Sequence, residues 1–413
     1  MQLCLLLCLL LLSPQGLGHH HHSWRAKKRA RELPVVPTAA PDNGNFTFDL
    51  FRALVAASPN QNVFFSPLSV SMPLAMISLG ARSTTRAQIL GALGVGLQGG
   101  AEEEELHRGF QRLLQGLSPP REDPQLSLGN ALFLKPTVHV QDTFLRAMRT
   151  LYLADTFPTN FEDPERAQKQ INDYVAKQTK GKIVDLVKDF DSSEIMVMVN
   201  YIYFKAKWET LFDPKSTHKQ DFHVNSETVV QVPMMKREDD YYYLLDRNLY
   251  CRVVGLPYQG NATALFILPS EGRMGKVEAE LSQETLRKWL KKFTKRKLQL
   301  YLPKFSIEGS YHLEKVLPKL GIRDIFTSHA DLTGFTNHSN IQVSEMVHKA
   351  MVEVDESGTK AAAATGMVFA FRSARMGSPR IVFDRPFLMA IVENNKNILF
   401  LGKVTRPSGG DFS

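Results

Sequence analysis

The sequence predicts an α+β fold in one large domain, and three observations carry that prediction. From Leu126 onward, strand-like runs (126–133, 195–204, 228–233, 251–256 and 262–268) follow one another, with helical stretches (143–153 and 164–179) gathered around them. This is hairpin-connected sheet, not the regular strand–helix–strand winding of a parallel sheet. No repeat period is visible. After residue 45 no shift of composition marks a linker, so the 413 residues, 43% hydrophobic and 22% charged, read as one body in spite of their number.

In chain order, Met1–Leu12 is an apolar run too short to span a bilayer, followed by Ser13, Pro14, Gln15 and Gly16. It reads as a secretory signal, placed at residues 1–19, although its start lacks the usual basic residue. Residues 20–44 read as a disordered basic tail holding His19–His22 at its edge and Arg25, Lys27, Lys28, Arg29 and Arg31 within it. The domain is expected over 45–407, with a short tail at 408–413. With Cys4 and Cys8 in the removed segment, Cys251 stands alone, so stability must come from a packed core without an internal disulfide. Asn45, Asn261 and Asn337 lie in Asn-x-Ser/Thr triplets and are candidate glycosylation sites on a secreted, extracellular surface.

The first helix is expected from Phe46, where Phe46, Phe48, Leu50, Phe51 and Leu54 form an amphipathic pattern. A short strand and turn follow over 62–69, then a buried helix over 72–79, then a helix over 84–93 capped by Ser83 or Thr84. Gly94-Val-Gly96-Leu-Gln-Gly99 matches the dinucleotide fingerprint in letters only. A helical stretch precedes it and Glu102–Glu105 follow, which would repel a phosphate.

The formal charge of +8 is concentrated in the basic tail and in a second cluster within 282–300. There Leu286, Trp289, Leu290 and Phe293 fall on one face of an expected helix and Arg287, Lys288, Lys291, Lys292 and Lys295 on another, with Arg296 and Lys297 extending the set. A solvated helix face is the plain reading. Almost no acidic residue balances the cluster after Glu284, which favours a polyanion: heparin or another glycosaminoglycan as an activating partner, or an anionic phospholipid surface, with no nucleic acid.

The stretch 356–373, Glu-Ser-Gly-Thr-Lys-Ala-Ala-Ala-Ala-Thr-Gly-Met-Val-Phe-Ala-Phe-Arg-Ser, has the character of a bait loop. Arg372, followed by Ser373, suits the acidic specificity pocket of a trypsin-like protease. Ala361, Ala362, Ala363 and Ala364 are small enough to pass between two strands, although four alanines also suit a helix. Counted by twos, Thr359, Ala361, Ala363, Thr365, Met367, Phe369 and Phe371 share one strand face that grows steadily more apolar. No G-x-S-x-G elbow, H-E-x-x-H pair or P-loop occurs, so the chain is expected not to be an enzyme and to carry no metal or cofactor.

Taken together, several stretches resemble the serpins, specifically their antitrypsin-like group, from about Phe46 to Pro407. They are Asn62 with Phe65-Ser-Pro-Leu-Ser69, residues 171–183 and 199–208, Leu302-Pro-Lys-Phe305, His348-Lys-Ala350, Glu356-Ser-Gly-Thr359, Asp384-Arg-Pro-Phe387 and Leu399-Phe-Leu-Gly402. The resemblance implies a monomer with three β-sheets, about nine helices and an exposed reactive-centre loop. It implies a hinge at Glu356, Gly358, Thr359 and Ala361–Ala364, and a bond cut between Arg372 and Ser373, with Arg375 as the rival. It places Ser66, Ser69, Asn200 and His348 at the shutter where the central sheet parts, and Trp208 at the breach where the loop enters. The expected function is suicide inhibition of trypsin-like proteases of coagulation, fibrinolysis or reproductive fluids. A non-inhibitory carrier of a small hydrophobic ligand is the alternative.

Overall fold

The computed structural model describes residues 44–96, 100–117, 125–357, 377–394 and 397–408, all within one compact unit, Glu32–Ser413. The expected signal peptide, the expected basic tail up to residue 43, and residues 358–376 lie outside the described residues.

The chain opens with α1 (Gly44–Ala57), β1 (Val63–Phe65), α2 (Pro67–Ser78), α3 (Ser83–Ala92) and α4 (Gly100–Leu117). Next come β2 (Gln125–Leu134), α5 (Asp142–Tyr152), β3 (Asp155–Pro158), α6 (Pro164–Gln178), β4 (Met196–Lys205) and β5 (His218–His223). Then follow β6 (Val229–Asp246), β7 (Cys251–Pro257), β8 (Ala262–Pro269), α7 (Met274–Glu280), α8 (Gln283–Lys292), β9 (Thr294–Pro303) and β10 (Phe305–His312). The chain closes with β11 (Glu345–Val354), β12 (Arg380–Val382), β13 (Phe387–Glu393) and β14 (Asn397–Val404).

The described residues thus hold eight α-helices and two hydrogen-bonded sheets, against about nine helices and three sheets expected. The difference in sheets has a cause in β6. Its first part pairs with β5, its middle with β9 and its last residues with β7, so one uninterrupted strand fuses two smaller sheets. The other sheet runs β10-β11-β4-β2-β3.

Local sequence explains where elements begin. The helix expected from Met72 starts earlier, at Pro67, because Ser66 Oγ accepts from the Ser69 amide and proline suits a first helical position. Asp163 caps α6 in the same way, accepting from the Arg166 amide ahead of Pro164. Neither Ser83 nor Thr84 caps α3, contrary to expectation: the cap residue is Arg82, without a side-chain bond. The two hydroxyls donate instead to Asp331 (2.8 Å) and Asp324 (2.6 Å), stitching α3 to a distant loop. Beside the glycine motif, Glu102 Oε2 accepts from the Gly96 amide at 3.2 Å, placing a carboxylate where a nucleotide would need its phosphate.

Strand parity sets the layers. β4 is buried along nearly its whole length, and alternate residues enter different cores. Met196, Met198, Ile202 and Phe204 join the main core, which also takes up α2. Val197, Val199, Tyr201 and Tyr203 join a smaller core with Ala167, Ile171 and Val175 of α6 and Val347 of β11. The smaller core therefore lies across the line where β4 meets β11.

Candidate functional site

That line is the first part of the site. β4 and β11 pair in parallel from Glu345↔Val197 to Val352↔Phe204, while β2–β4 and β10–β11 are antiparallel. Parallel pairing is slightly weaker per residue. A strand that followed β11 and turned back between the two would make antiparallel ladders with both.

The four expected shutter residues meet at the middle of this seam. Asn130, Asn200 and His348 stand opposite one another on β2, β4 and β11, on the parity that faces the main core and α2. Ser69 Oγ donates to Asn200 Oδ1 at 2.6 Å, and Asn200 Nδ2 donates to Asn130 Oδ1 at 2.8 Å. His348 is wholly buried, and its Nε2 accepts from the Ser66 amide at 3.3 Å. Its Nδ1 must then carry the proton and donate to Asn200 Oδ1. Burial pushes this imidazole down to about 3, in keeping with a neutral ring whose Nε2 has no room for a second donor.

At the loop end of the seam, Trp208 is buried and stacks on Tyr258 with ring centroids 4.3 Å apart. Its indole Nε1 donates to Asp355 O at 2.8 Å and its amide to Ser357 O at 3.3 Å, while the Phe212 amide donates to Glu356 O at 2.7 Å. Glu356, the one described hinge residue on the expected list, pairs with Lys304 Nζ at 2.9 Å and accepts from Thr217 Oγ1 at 2.8 Å. Burial works against its charge, yet these partners hold the carboxyl below its usual range. Gly358, Thr359, Ala361, Ala362, Ala363, Ala364, Arg372 and Ser373 lie outside the described residues.

Two charged groups bracketing the seam were not anticipated. Toward the loop end, Glu353 of β11 reaches across to Lys205 of β4 (2.9 Å) and to Lys182 after α6 (3.0 Å). At the far end Glu345 is half-buried beside Glu194 and Glu314, with His312 and Lys315 as the nearby cations, and burial with like charges pushes it up to about 7. Strand alternation would have placed both on β11, but their partners come from segments far away in sequence.

The basic surface is the second part of the site. Ser282 caps α8, whose Leu286 and Trp289 are buried, and Trp289 Nε1 donates to Asp246 at 2.8 Å. The helix expected to carry the cluster through Lys295 is corrected here. Phe293 leaves the helical conformation and β9 begins at Thr294, because Leu298, Leu300 and Leu302 are buried on alternate positions of a strand. Arg287, Lys288, Lys291 and Lys292 are thus exposed on the helix, and Lys295, Arg296 and Lys297 on the strand. Lys295 lies over the Tyr242 ring (5.1 Å) and Arg296 over Tyr243 (5.3 Å). Asn45 and Asn337 are exposed, and Asn261 is half-buried with its carbonyl accepting from the Asn394 amide.

Comparison with known proteins agrees with this architecture. The family model of serpins, serine protease inhibitors, matches residues 41–407. The chain is 70% identical over 409 residues to the human plasma serine protease inhibitor, covering 98% of this chain and 100% of the relative. It is 68% identical to the bovine protein of that name, again over 98% of this chain and 100% of the relative. Human thyroxine-binding globulin superposes with a TM-score of 0.83 at 40% identity, over 90% of this chain and 98% of that one. The expectation drawn from missing catalytic motifs, that the chain is simply no enzyme, is corrected by the family match: the statement about its class is a positive one, that of protease inhibitors, and missing motifs do not supply it. By the match over 41–407 and by its kinship along almost its entire length, the chain belongs to the serpin family.

Proposed function

We propose that the chain is a secreted, heparin-binding inhibitor that acts as a suicide substrate on trypsin-like serine proteases. The observation that carries this reading is the seam: β11 pairs in parallel with β4 and leads straight into the hinge at Glu356. Loop insertion is the known route of the serpin family and is carried over from family membership.

In this route the protease serine oxygen attacks the Arg372 carbonyl carbon, and the bond to Ser373 breaks. The arginine is left as an ester of the protease, and the Ser373 amine leaves with a proton. The freed segment from Thr359 to Arg372 then enters between β4 and β11. It exchanges one parallel pairing for two antiparallel ones and buries its increasingly apolar face. Extended, those residues span about 45 Å, enough to drag the attached protease along the sheet. Displacements of about 1 Å cost roughly a hundredfold in rate, so the ester is stranded.

The exposed cations of α8 and β9 support polyanion binding, with heparin holding inhibitor and protease on one chain. Lys291 and Lys292 also complement the C-terminal end of the α8 dipole, so their presence has a structural reason too. A monomer, sugar on Asn45, Asn261 and Asn337, and contact with anionic phospholipid belong to the same proposal. Among the described residues no helix is long and apolar enough to cross a membrane.

The kinship with a globulin that binds thyroxine favours a second reading, a carrier. The small residues at 361–364 argue for inhibition, because a bulky hinge would block insertion. Incubation with trypsin decides between them. An SDS-stable complex whose released peptide begins at Ser373 is expected; clean cleavage without a complex would leave the carrier reading, and a peptide beginning at Met376 would move the bond to Arg375.

A further inference from the structure

Lys297 differs from the other exposed cations of the basic surface in what it touches. Its Nζ lies 3.5 Å from Glu238 Oε1 on β6, and the same oxygen accepts from Ser378 Oγ at 2.8 Å. Glu238 Oε2 accepts from Gln299 at 3.2 Å, and the Gln299 amide donates to Pro379 O at 2.9 Å. Ser378 and Pro379 lead directly into β12, which is tied to β9 from Arg380↔Gln299 onward. One exposed carboxylate therefore joins the end of the basic surface to the foot on which the reactive loop comes back to the body.

We infer that Glu238 is a positioning residue for that foot, and that a polyanion reaching Lys297 loosens it. This rests on the heparin reading above. Lys297 and Ser378 converge on one oxygen, so a sulfate that takes Lys297 removes a cation from Glu238 and sets negative charge beside it. The carboxylate is then repelled from the site where Ser378 holds it. Other charges on this sheet face do not substitute for Lys297. Asp240, opposite Lys297 in the ladder, adds to the repulsion, and Lys236 and Arg380 lie over the Tyr301 ring at 5.4 and 4.2 Å.

The test uses the full-length protein and a heparin hexasaccharide, too short to reach a docked protease as well. Binding of the fragment is measured by calorimetry, and amide exchange is followed across residues 377–382. In the wild type, exchange is expected to rise about one-and-a-half- to fivefold on binding, the range that loss of an exposed ion-paired contact allows. Glu238→Gln keeps an oxygen for Ser378 but carries no charge to repel; it should bind the fragment and show no rise. Glu238→Ala should exchange fast before any fragment is added. A wild type that binds the fragment without a rise, or a Glu238→Gln protein that responds like the wild type, overturns the inference. A wild type that fails to bind the fragment overturns the heparin reading, and the inference with it.

Discussion

Asn200 ties three elements together through one side chain: α2 through Ser69, β11 through His348 and β2 through Asn130. Asn200→Ala would leave the Ser69 hydroxyl and His348 Nδ1 buried without an acceptor, at about 1–3 kcal/mol each. The expected result is a lower melting temperature and spontaneous loss of inhibitory activity on warm incubation, scored by titration against trypsin; an unchanged lifetime would remove Asn200 from the seam's control. Two groups give opposite pH slopes. His348 is held near 3 against an ordinary 6.5, so its contribution is full above 6.5 and is lost as pH falls toward 3. Glu345 is raised from 4.5 to about 7, so its folded form favours the proton, and that contribution is present at acid pH and is lost as pH rises from 4.5 through about 7. Glu345→Gln should therefore melt a few degrees above the wild type at about pH 8 and show little gain at about pH 4; a gain independent of pH would contradict the assignment. Ser66, Ser69, Asn200 and His348 were legible through family resemblance. Glu345, Glu353 and Glu238 were not, because each takes its meaning from partners on other elements, such as Lys182, 171 positions away from Glu353.

Among the elements, most of the helices and strands named from periodicity lie within a residue or two of where they were expected. Two failures have identifiable causes, one local and one tertiary. The basic stretch after Ser282 alternates charges at a spacing that suits a helix through Lys292, and beyond Phe293 the buried leucines of β9 impose a period of two. A cap was expected at Ser83 or Thr84 on residue type, but acceptors on a distant loop take both hydroxyls. The correction changes what the basic surface is: a helix face followed by the exposed first residues of a strand, not one helical stripe. Replacing Lys291, Lys292 and Lys295 by alanine should abolish heparin acceleration and leave the unassisted inhibition rate within about twofold, since exposed charges contribute little to the fold itself. Retention of the full heparin effect would move the site elsewhere.

For the whole molecule, the α+β class was visible in the order of strands and helices. The fusion of two sheets through β6 was not, since pairing partners are chosen by the tertiary fold. On the proposed mechanism, the five strands with β4 directly against β11 would gain a more favourable arrangement once the loop is cut. The cleaved protein is expected to melt well above the intact one by calorimetry, and equal melting temperatures would mean that nothing is gained on cutting. The smaller core bears on how long the intact form lasts. Val197 and Val199 on one side and Val347 on the other share their packing with Ala167, Ile171 and Val175 of α6. If the two strands part as proposed, the floor on which that helix rests would be sheared, so the wait before insertion would be set by apolar side chains away from the loop. A ligand wedged beneath the helix would slow the stroke from behind, and leave the bait untouched.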